Sequence, residues 1–193
     1  DYVMAVIPTP DDKYMVFWME DAWPASSLKF TKIDSEGNIE IGWNPNGNSL
    51  SNPSYDSRNL TVKYVTDESG VLAIWTQDGN FSDIYAQMIS WDGEALWNEG
   101  GIAVSEADND QVNFSFEFNE SKTHALVTWE DYRNGTDFEI FGEVIDLESG
   151  SSNNQDIQFS NDTTNQYNPT MALVQNNEFL VIWEDERGYY NAD

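Results

Sequence analysis

The sequence predicts an all-β chain, a β-propeller of four-stranded antiparallel blades with a repeat of about 54 residues. Three observations support this prediction. Short apolar runs that end in Trp recur with spacings of 57, 54 and 54 residues. Each run is followed by an acidic loop and then by a segment in which apolar and polar residues alternate. No segment carries a 3.6-residue apolar period, so we expect few helices.

The apolar runs predict the second strand of each repeat. They are apolar at consecutive positions, which is typical of strands that are buried on both faces. We therefore expect them to pack between neighbouring sheets, with the Trp side chains as structural residues of the repeat. The runs occupy residues 14–18, 71–75, 125–129 and 179–183, and end in Trp18, Trp75, Trp129 and Trp183.

The loop after the Trp contains acidic residues in every repeat, and two copies add an Arg. Asp131 is followed by Arg133, and Asp185 by Arg187, at matching positions. We interpret each pair as an ion pair inside its loop that fixes the strand connection, because every blade needs the same turn. The alternative is a ring of loops that presents a ligand site on one face.

The third and fourth strands follow this loop. Period-two alternation predicts the third strand, a Gly-containing turn supplies the positive φ of a hairpin, and a short fourth strand ends in Ser. An Asn- and Asp-rich link then opens the next repeat at an Asn. The alternating segments are residues 27–34, 83–90 and 139–146, the serines are Ser51, Ser105 and Ser160, and the opening residues are Asn59, Asn113 and Asn168.

These boundaries predict blades at residues 1–53, 54–107 and 108–162, and a partial blade at 163–193. A β-sandwich array would need about 100 residues for each unit, and a solenoid coil would be shorter than this repeat. About three and a half blades do not close a ring, since propellers have four to eight. We therefore expect the propeller to be incomplete and to be completed by other segments of a longer chain.

The charge excludes several classes of partner. Asp and Glu number 35 against eight Lys and Arg, for a net charge of −27. Such a surface repels phosphate backbones and anionic membranes, so we expect no nucleic acid as a partner. No apolar run approaches the roughly 20 residues that span a bilayer, so direct membrane insertion is not expected. The chain has no Cys and one His, His124, which excludes disulfides and multi-histidine metal sites.

Calcium is the one metal that the acidic loops suggest, because oxygen-rich loops can wrap Ca²⁺ with six to eight ligands. No loop matches the full EF-hand pattern, and the alternative is that these acids are simply solvated. No cofactor is certain; if calcium binds, we expect it to stabilise the blades. The candidate ligands are Asp78, Asp83, Glu106, Asp108, Asp110, Asp131 and Asp185.

Carbohydrate binding is a further hypothesis, because Trp23, Trp43, Trp91 and Trp97 lie outside the repeated runs, in or near turns. If exposed, they could stack on sugar rings; the alternative is that they pack within hairpins. Enzyme chemistry is not predicted. The chain has three Arg residues, two of them at repeat-equivalent positions, and no Ser-His-Asp set, phosphate loop or nucleotide fingerprint.

Several motifs resemble a known group of repeats. Residues 129–133 read Trp-Glu-Asp-Tyr-Arg, residues 183–187 read Trp-Glu-Asp-Glu-Arg, and residues 83–87 read Asp-Ile-Tyr-Ala-Gln. This combination resembles the β-propeller repeats of bacterial secreted and cell-surface proteins, which implies an exported propeller, often within a long multidomain protein, but no single activity. Residues 90–97 are more weakly similar to the Asp-box of sialidase-like propellers, with Gly93 one position early.

Three functional hypotheses follow. The leading one is a non-catalytic structural or interaction module of an exported or cell-surface bacterial protein, with no enzyme activity. Its partners would be other segments of the same longer chain or other surface proteins. The second is a lectin-like propeller that binds a glycan, with or without calcium. The third is a fragment of a sialidase-like glycoside hydrolase. All three predict an extracellular or cell-surface location.

Overall fold

The computed structural model describes residues 1–152 and 156–188, and this part of the chain is almost entirely β. Its strands form three four-stranded sheets and a two-stranded sheet, each in simple sequence order. Sheet 1 contains β1 (Tyr2–Pro8), β2 (Tyr14–Glu20), β3 (Ser27–Ile33) and β4 (Asn48–Ser49); sheet 2 contains β5 (Asp56–Thr66), β6 (Gly70–Asp78), β7 (Ser82–Ile89) and β8 (Ile102–Ser105). Sheet 3 contains β9 (Gln111–Phe118), β10 (His124–Asp131), β11 (Glu139–Asp146) and β12 (Ile157–Gln158); sheet 4 contains β13 (Gln166–Leu173) and β14 (Phe179–Asp185).

The prediction of four-stranded antiparallel sheets with few helices is confirmed. Only two short 3₁₀ turns occur among the described residues, Gln175–Asn177 and Glu186–Gly188. None of the described helices is long and apolar enough to cross a membrane. The chain divides into two compact units, one formed by Asp1–Asn80 with Tyr85–Ala103 and the other by Phe81–Ile84 with Val104–Asp193.

A bulge at the same place in sheets 2, 3 and 4 explains the repeated Asn. The register between the first and second strands shifts there, between Arg58 and Thr61 in sheet 2 for example. A left-handed backbone is unfavourable for most L-residues, and Asn tolerates it better than most. The bulge residues and their φ angles are Asn59 at 55°, Asn113 at 50° and Asn168 at 53°.

The core of the first unit lies between sheets 1 and 2. Phe17 stacks on Phe30 with ring centroids 5.6 Å apart, and Trp75 lies in the same cluster with no exposed surface. In the second unit, Trp129 is equally buried, together with Val127 and Ile140. The side chains of the second strands therefore build both cores.

The prediction that every apolar run is buried on both faces is wrong for two of the four runs. Trp75 and Trp129 are fully buried, whereas Trp18 and Trp183 are only half-buried. In β14, half-buried and exposed positions alternate, and Leu180 is 55% exposed. The physical reason is that the described residues cover one face of sheets 1 and 4 and leave the other face to solvent.

Candidate functional site

Asp131 is the last residue of β10, and its side chain organises the tight turn that follows. Its side chain is fully buried, and its carboxylate accepts hydrogen bonds from the Trp129 Nε1 (2.7 Å), the Arg133 backbone N (2.8 Å) and the Arg133 Nη2 (2.6 Å). Arg133 also donates to Asp156 at 2.6 Å and lies over the ring of Phe141, 3.9 Å from its centroid. This arrangement holds the end of β10 against β11.

Asp185 and Arg187 form the corresponding pair in sheet 4. The Asp185 carboxylate accepts from the Arg187 backbone N at 2.9 Å and from Nη2 at 2.6 Å, and the hydrogen bond from the Arg187 side chain lowers the pKa of Asp185. Here the Arg187 side chain is 63% exposed, against 28% for Arg133. In both sheets the ion pair therefore joins two residues of the same turn, and in sheet 4 this ion pair is exposed to solvent.

Sheet 2 replaces this Asp with Gln77. The Nε1 of Trp75 is buried and has no hydrogen-bond partner in the described structure, and the same holds for the Gln77 Oε1. The nearby acid, Asp78, instead forms a two-point ion pair with Arg58 of β5, at 2.8 and 2.9 Å. The carboxylate of the calcium candidate Asp78 is therefore already paired with an Arg side chain of the same chain.

Asp110, another calcium candidate, accepts the backbone N–H of Ser82 at 2.9 Å. Equivalent hydrogen bonds run from Ser26 to Asp56 (2.6 Å) and from Phe138 to Asn165 (3.0 Å). Each joins the start of a third strand, or the residue just before it, to the first residue of the next sheet's first strand or to the residue just before that strand. The sequence analysis missed this set, although Asp56, Asp110 and Asn165 each lie three positions before a bulge Asn.

The remaining calcium candidates are not gathered into one place by any of these contacts. Asp83 is half-buried, while Glu106 and Asp108 are exposed. Across residues 1–152 and 156–188, no three or more His, Asp or Glu side chains form a group that could hold a metal ion. Calcium binding stays a prediction that only a measurement with the ion can decide.

Glu130 is a buried carboxyl group that the sequence analysis did not single out. Its residue is 2% exposed, Oε2 accepts from the Asn113 Nδ2 at 2.9 Å, and Oε1 accepts from the backbone N of Asn168 at 2.7 Å. Burial raises the pKa of Glu130 and the nearby Glu184 adds to this, while the two hydrogen bonds oppose it. Glu130 therefore links β10 to the bulges of both β9 and β13.

The four Trp residues considered for sugar stacking separate into two groups. Trp43 meets Phe30 edge-on, with ring centroids 6.1 Å apart, Trp91 donates to the Thr66 carbonyl at 3.1 Å, and Trp97 is half-buried. The ring of Trp43 also lies over Gly93, where a Cβ would be 2.6 Å from it. Trp23 is different, because it is 94% exposed.

The comparisons with known proteins concern structure alone. No family model matches the sequence, and no curated protein matches it. Among solved structures, an endo-arabinase from Bacteroides thetaiotaomicron matches 94% of this chain and 69% of its own length, with a TM-score of 0.52 at 11% identity.

Two further structures have lower scores. A thermostable family-43 glycoside hydrolase matches with a TM-score of 0.49 at 13% identity, and an α-L-arabinofuranosidase from Lactobacillus brevis with 0.46 at 7%. Both matches cover 92% of this chain, which spans only 63% of the length of each enzyme. Together with the sheet topology, the endo-arabinase match supports an all-β, propeller-like fold.

Proposed function

We propose that this chain is a propeller segment that binds a polysaccharide as part of an exported carbohydrate-active protein. The observation that carries the proposal is the fold likeness to an endo-arabinase over 94% of the chain. At 11% identity this likeness concerns the fold. We therefore propose carbohydrate as the class of ligand and do not specify the sugar. The likeness favours the carbohydrate hypotheses over the purely structural module with which the sequence analysis led.

Binding without hydrolysis is the version that the described acids support best. Glycosidases place two carboxyl groups about 5 to 10 Å apart on either side of the scissile bond, and one of them has a raised pKa. Among the described residues, burial raises the pKa of Glu130, but this side chain is sealed from solvent and holds two hydrogen bonds. Asp131 and Asp185 are engaged by Arg133 and Arg187.

Affinity gel electrophoresis tests the proposal. The chain is run through native gels that contain one of a panel of soluble polysaccharides, both neutral and acidic, and arabinan is included. We expect at least one polysaccharide to retard the chain relative to a reference protein that binds none. Equal mobility in every gel would refute polysaccharide binding.

Glycoside hydrolysis is the second candidate function, favoured by the fold likeness to an endo-arabinase. Buried Glu130 and exposed Glu184 are the acids to test, because Glu184 contributes to the raised pKa of Glu130. The measurement is the release of reducing sugar from arabinan by the wild type, Glu130→Gln and Glu184→Gln. Release that either substitution abolishes would replace the binding-only proposal with a hydrolytic one. Release at the level of a no-protein blank would exclude hydrolysis of arabinan.

A further inference from the structure

Trp23 lies on the connection between β2 and β3 and is 94% exposed. A Trp side chain usually contributes to folding through the large apolar area that it buries. At this exposure Trp23 contributes almost nothing of that kind, whereas Trp43 and Trp91 pack inside the first unit. Burial within the described part of the chain therefore does not account for an indole at this position.

A second aromatic residue lies on the neighbouring connection. Tyr55, 43% exposed, precedes β5. The two connections are joined by the hydrogen bond from the Ser26 N to the Asp56 Oδ1 (2.6 Å) and by that from the Ser57 N to the Ser26 carbonyl (2.9 Å). Trp23 is three residues from Ser26, and three residues span at most roughly 10 Å, so Trp23 and Tyr55 lie on adjoining connections.

Carboxylates accompany the two rings. Asp56 is next to Tyr55, and Asp21, which accepts from the Ser26 hydroxyl at 3.3 Å, lies two residues before Trp23. An exposed ring face attracts the C–H face of a sugar by dispersion and through its quadrupole, and a carboxylate accepts hydrogen bonds from sugar hydroxyls. We propose that the Trp23–Tyr55 surface binds a neutral polysaccharide; this inference rests on the proposed function.

The charge of the chain selects the class of polysaccharide. With a net charge of −27, the protein repels polymers that carry carboxylate or sulfate groups, most strongly at low ionic strength. A neutral polymer meets no such repulsion. A protein partner fits this surface less well, because stable protein interfaces bury about 1,200–2,000 Å², and two rings flanked by acidic side chains offer far less apolar area.

The test is affinity electrophoresis and calorimetric titration of the 193-residue chain with neutral and acidic polysaccharides, using the wild type, Trp23→Ala and Tyr55→Ala. Ile41→Ala is the matched control, because Ile41 is 95% exposed on the β3–β4 connection. Thermal melts establish that the variants fold as the wild type does, which we expect because the removed side chains are exposed. Each titration is repeated at low and high salt.

We expect Trp23→Ala to weaken binding of a neutral polysaccharide by about tenfold, or about 1.4 kcal/mol. Tyr55→Ala should weaken it less, Ile41→Ala should leave it unchanged, and salt should have little effect. If the wild type binds a polysaccharide and Trp23→Ala binds it with the same affinity, the proposed site is wrong while the proposed function stands. Binding of acidic polymers alone would overturn the neutral class, and no binding to any polymer would overturn the proposed function together with the site.

Discussion

Sheets 2 and 3 carry a Trp at the same place in their second strands, but the hydrogen bonding of the two indoles differs. The Trp129 Nε1 donates to Asp131, and Arg133 neutralises that carboxylate. The Trp75 Nε1 is buried without a hydrogen-bond partner in the described structure, because Gln77 stands where sheet 3 has its Asp. The apolar packing of the repeat thus persists when its polar loop is lost, which identifies ring burial as the main stabilising term and the loop as an addition to it.

Removal of the rings should have the largest effect. Trp129→Ala and Trp75→Ala each delete a fully buried side chain, and such deletions cost roughly 3–5 kcal/mol. We expect Trp129→Ala to cost more, because it also removes a donor from buried Asp131. Urea unfolding of both variants measures the difference, and a Trp129→Ala variant with wild-type stability would refute its core position.

The next effect separates the two Asp–Arg loops. Asp131→Ala leaves the buried Trp129 N–H without its acceptor and removes one of the two carboxylates that bind the partly buried Arg133, which keeps Asp156. We expect a cost of about 2–3 kcal/mol. Asp185→Ala, with Arg187 63% exposed, should cost less than about 1 kcal/mol, as exposed ion pairs do. Equal losses in urea unfolding would mean that solvent exposure does not set the strength of this loop.

The sheet 3 loop can also be transferred to sheet 2. Gln77→Asp supplies an acceptor near Trp75 but buries an unpaired carboxylate, so we expect destabilisation by about 1–2 kcal/mol at neutral pH. Gly79 lies four positions after Trp75, as Arg133 does after Trp129. Adding Gly79→Arg should therefore restore the free energy of unfolding that Gln77→Asp removes. Tyr85, which stacks on Trp75 with centroids 6.2 Å apart, offers a ring for the guanidinium.

The single variant Gly79→Arg is the control for that transfer, since it adds the cation without the acid. A double variant no more stable than Gln77→Asp would show that the pair needs further residues of sheet 3, such as Asp156.

The smallest effect concerns pH. Burial raises the pKa of Glu130 in the folded chain, so its contribution to stability is fully present below the unfolded pKa and is lost as pH rises through the folded pKa. We expect the free energy of unfolding of the wild type, minus that of Glu130→Gln, to fall as pH rises above about 4.5. A difference that rises with pH would show that the two hydrogen bonds outweigh burial.

The repeat explains how much could be predicted from the sequence. Trp75, Asp131 and Arg133 stand out because the same residue types return at the same spacing, and their strands and loops follow from that spacing. Glu184 stands at the same position in sheet 4 and is exposed, so the spacing could not show the burial of Glu130. Its partners are a bulge side chain and a backbone N–H from different sheets, contacts that depend on the tertiary fold.

Loop aromatics were undecided for a related reason. Trp43 and Trp23 both lie in polar connections, and nothing local separates a packed ring from an exposed one. Trp43 is packed because Phe30 and Gly93 approach it from different strands and hairpins, whereas the described residues leave Trp23 94% exposed. The burial of a loop Trp depends on residues that are distant in sequence. It therefore cannot be predicted from the local sequence pattern.

The hydrogen bonds that Asp56, Asp110 and Asn165 accept bear on how such a chain can grow during evolution. In each case the donor is a backbone N–H, which every repeat has irrespective of its sequence, and the acceptor is a side chain at the start of the following repeat. Duplication of one whole unit therefore copies the joint along with it. Such a chain can gain or lose units by recombination without inventing a new connection, while the exposed loops diverge.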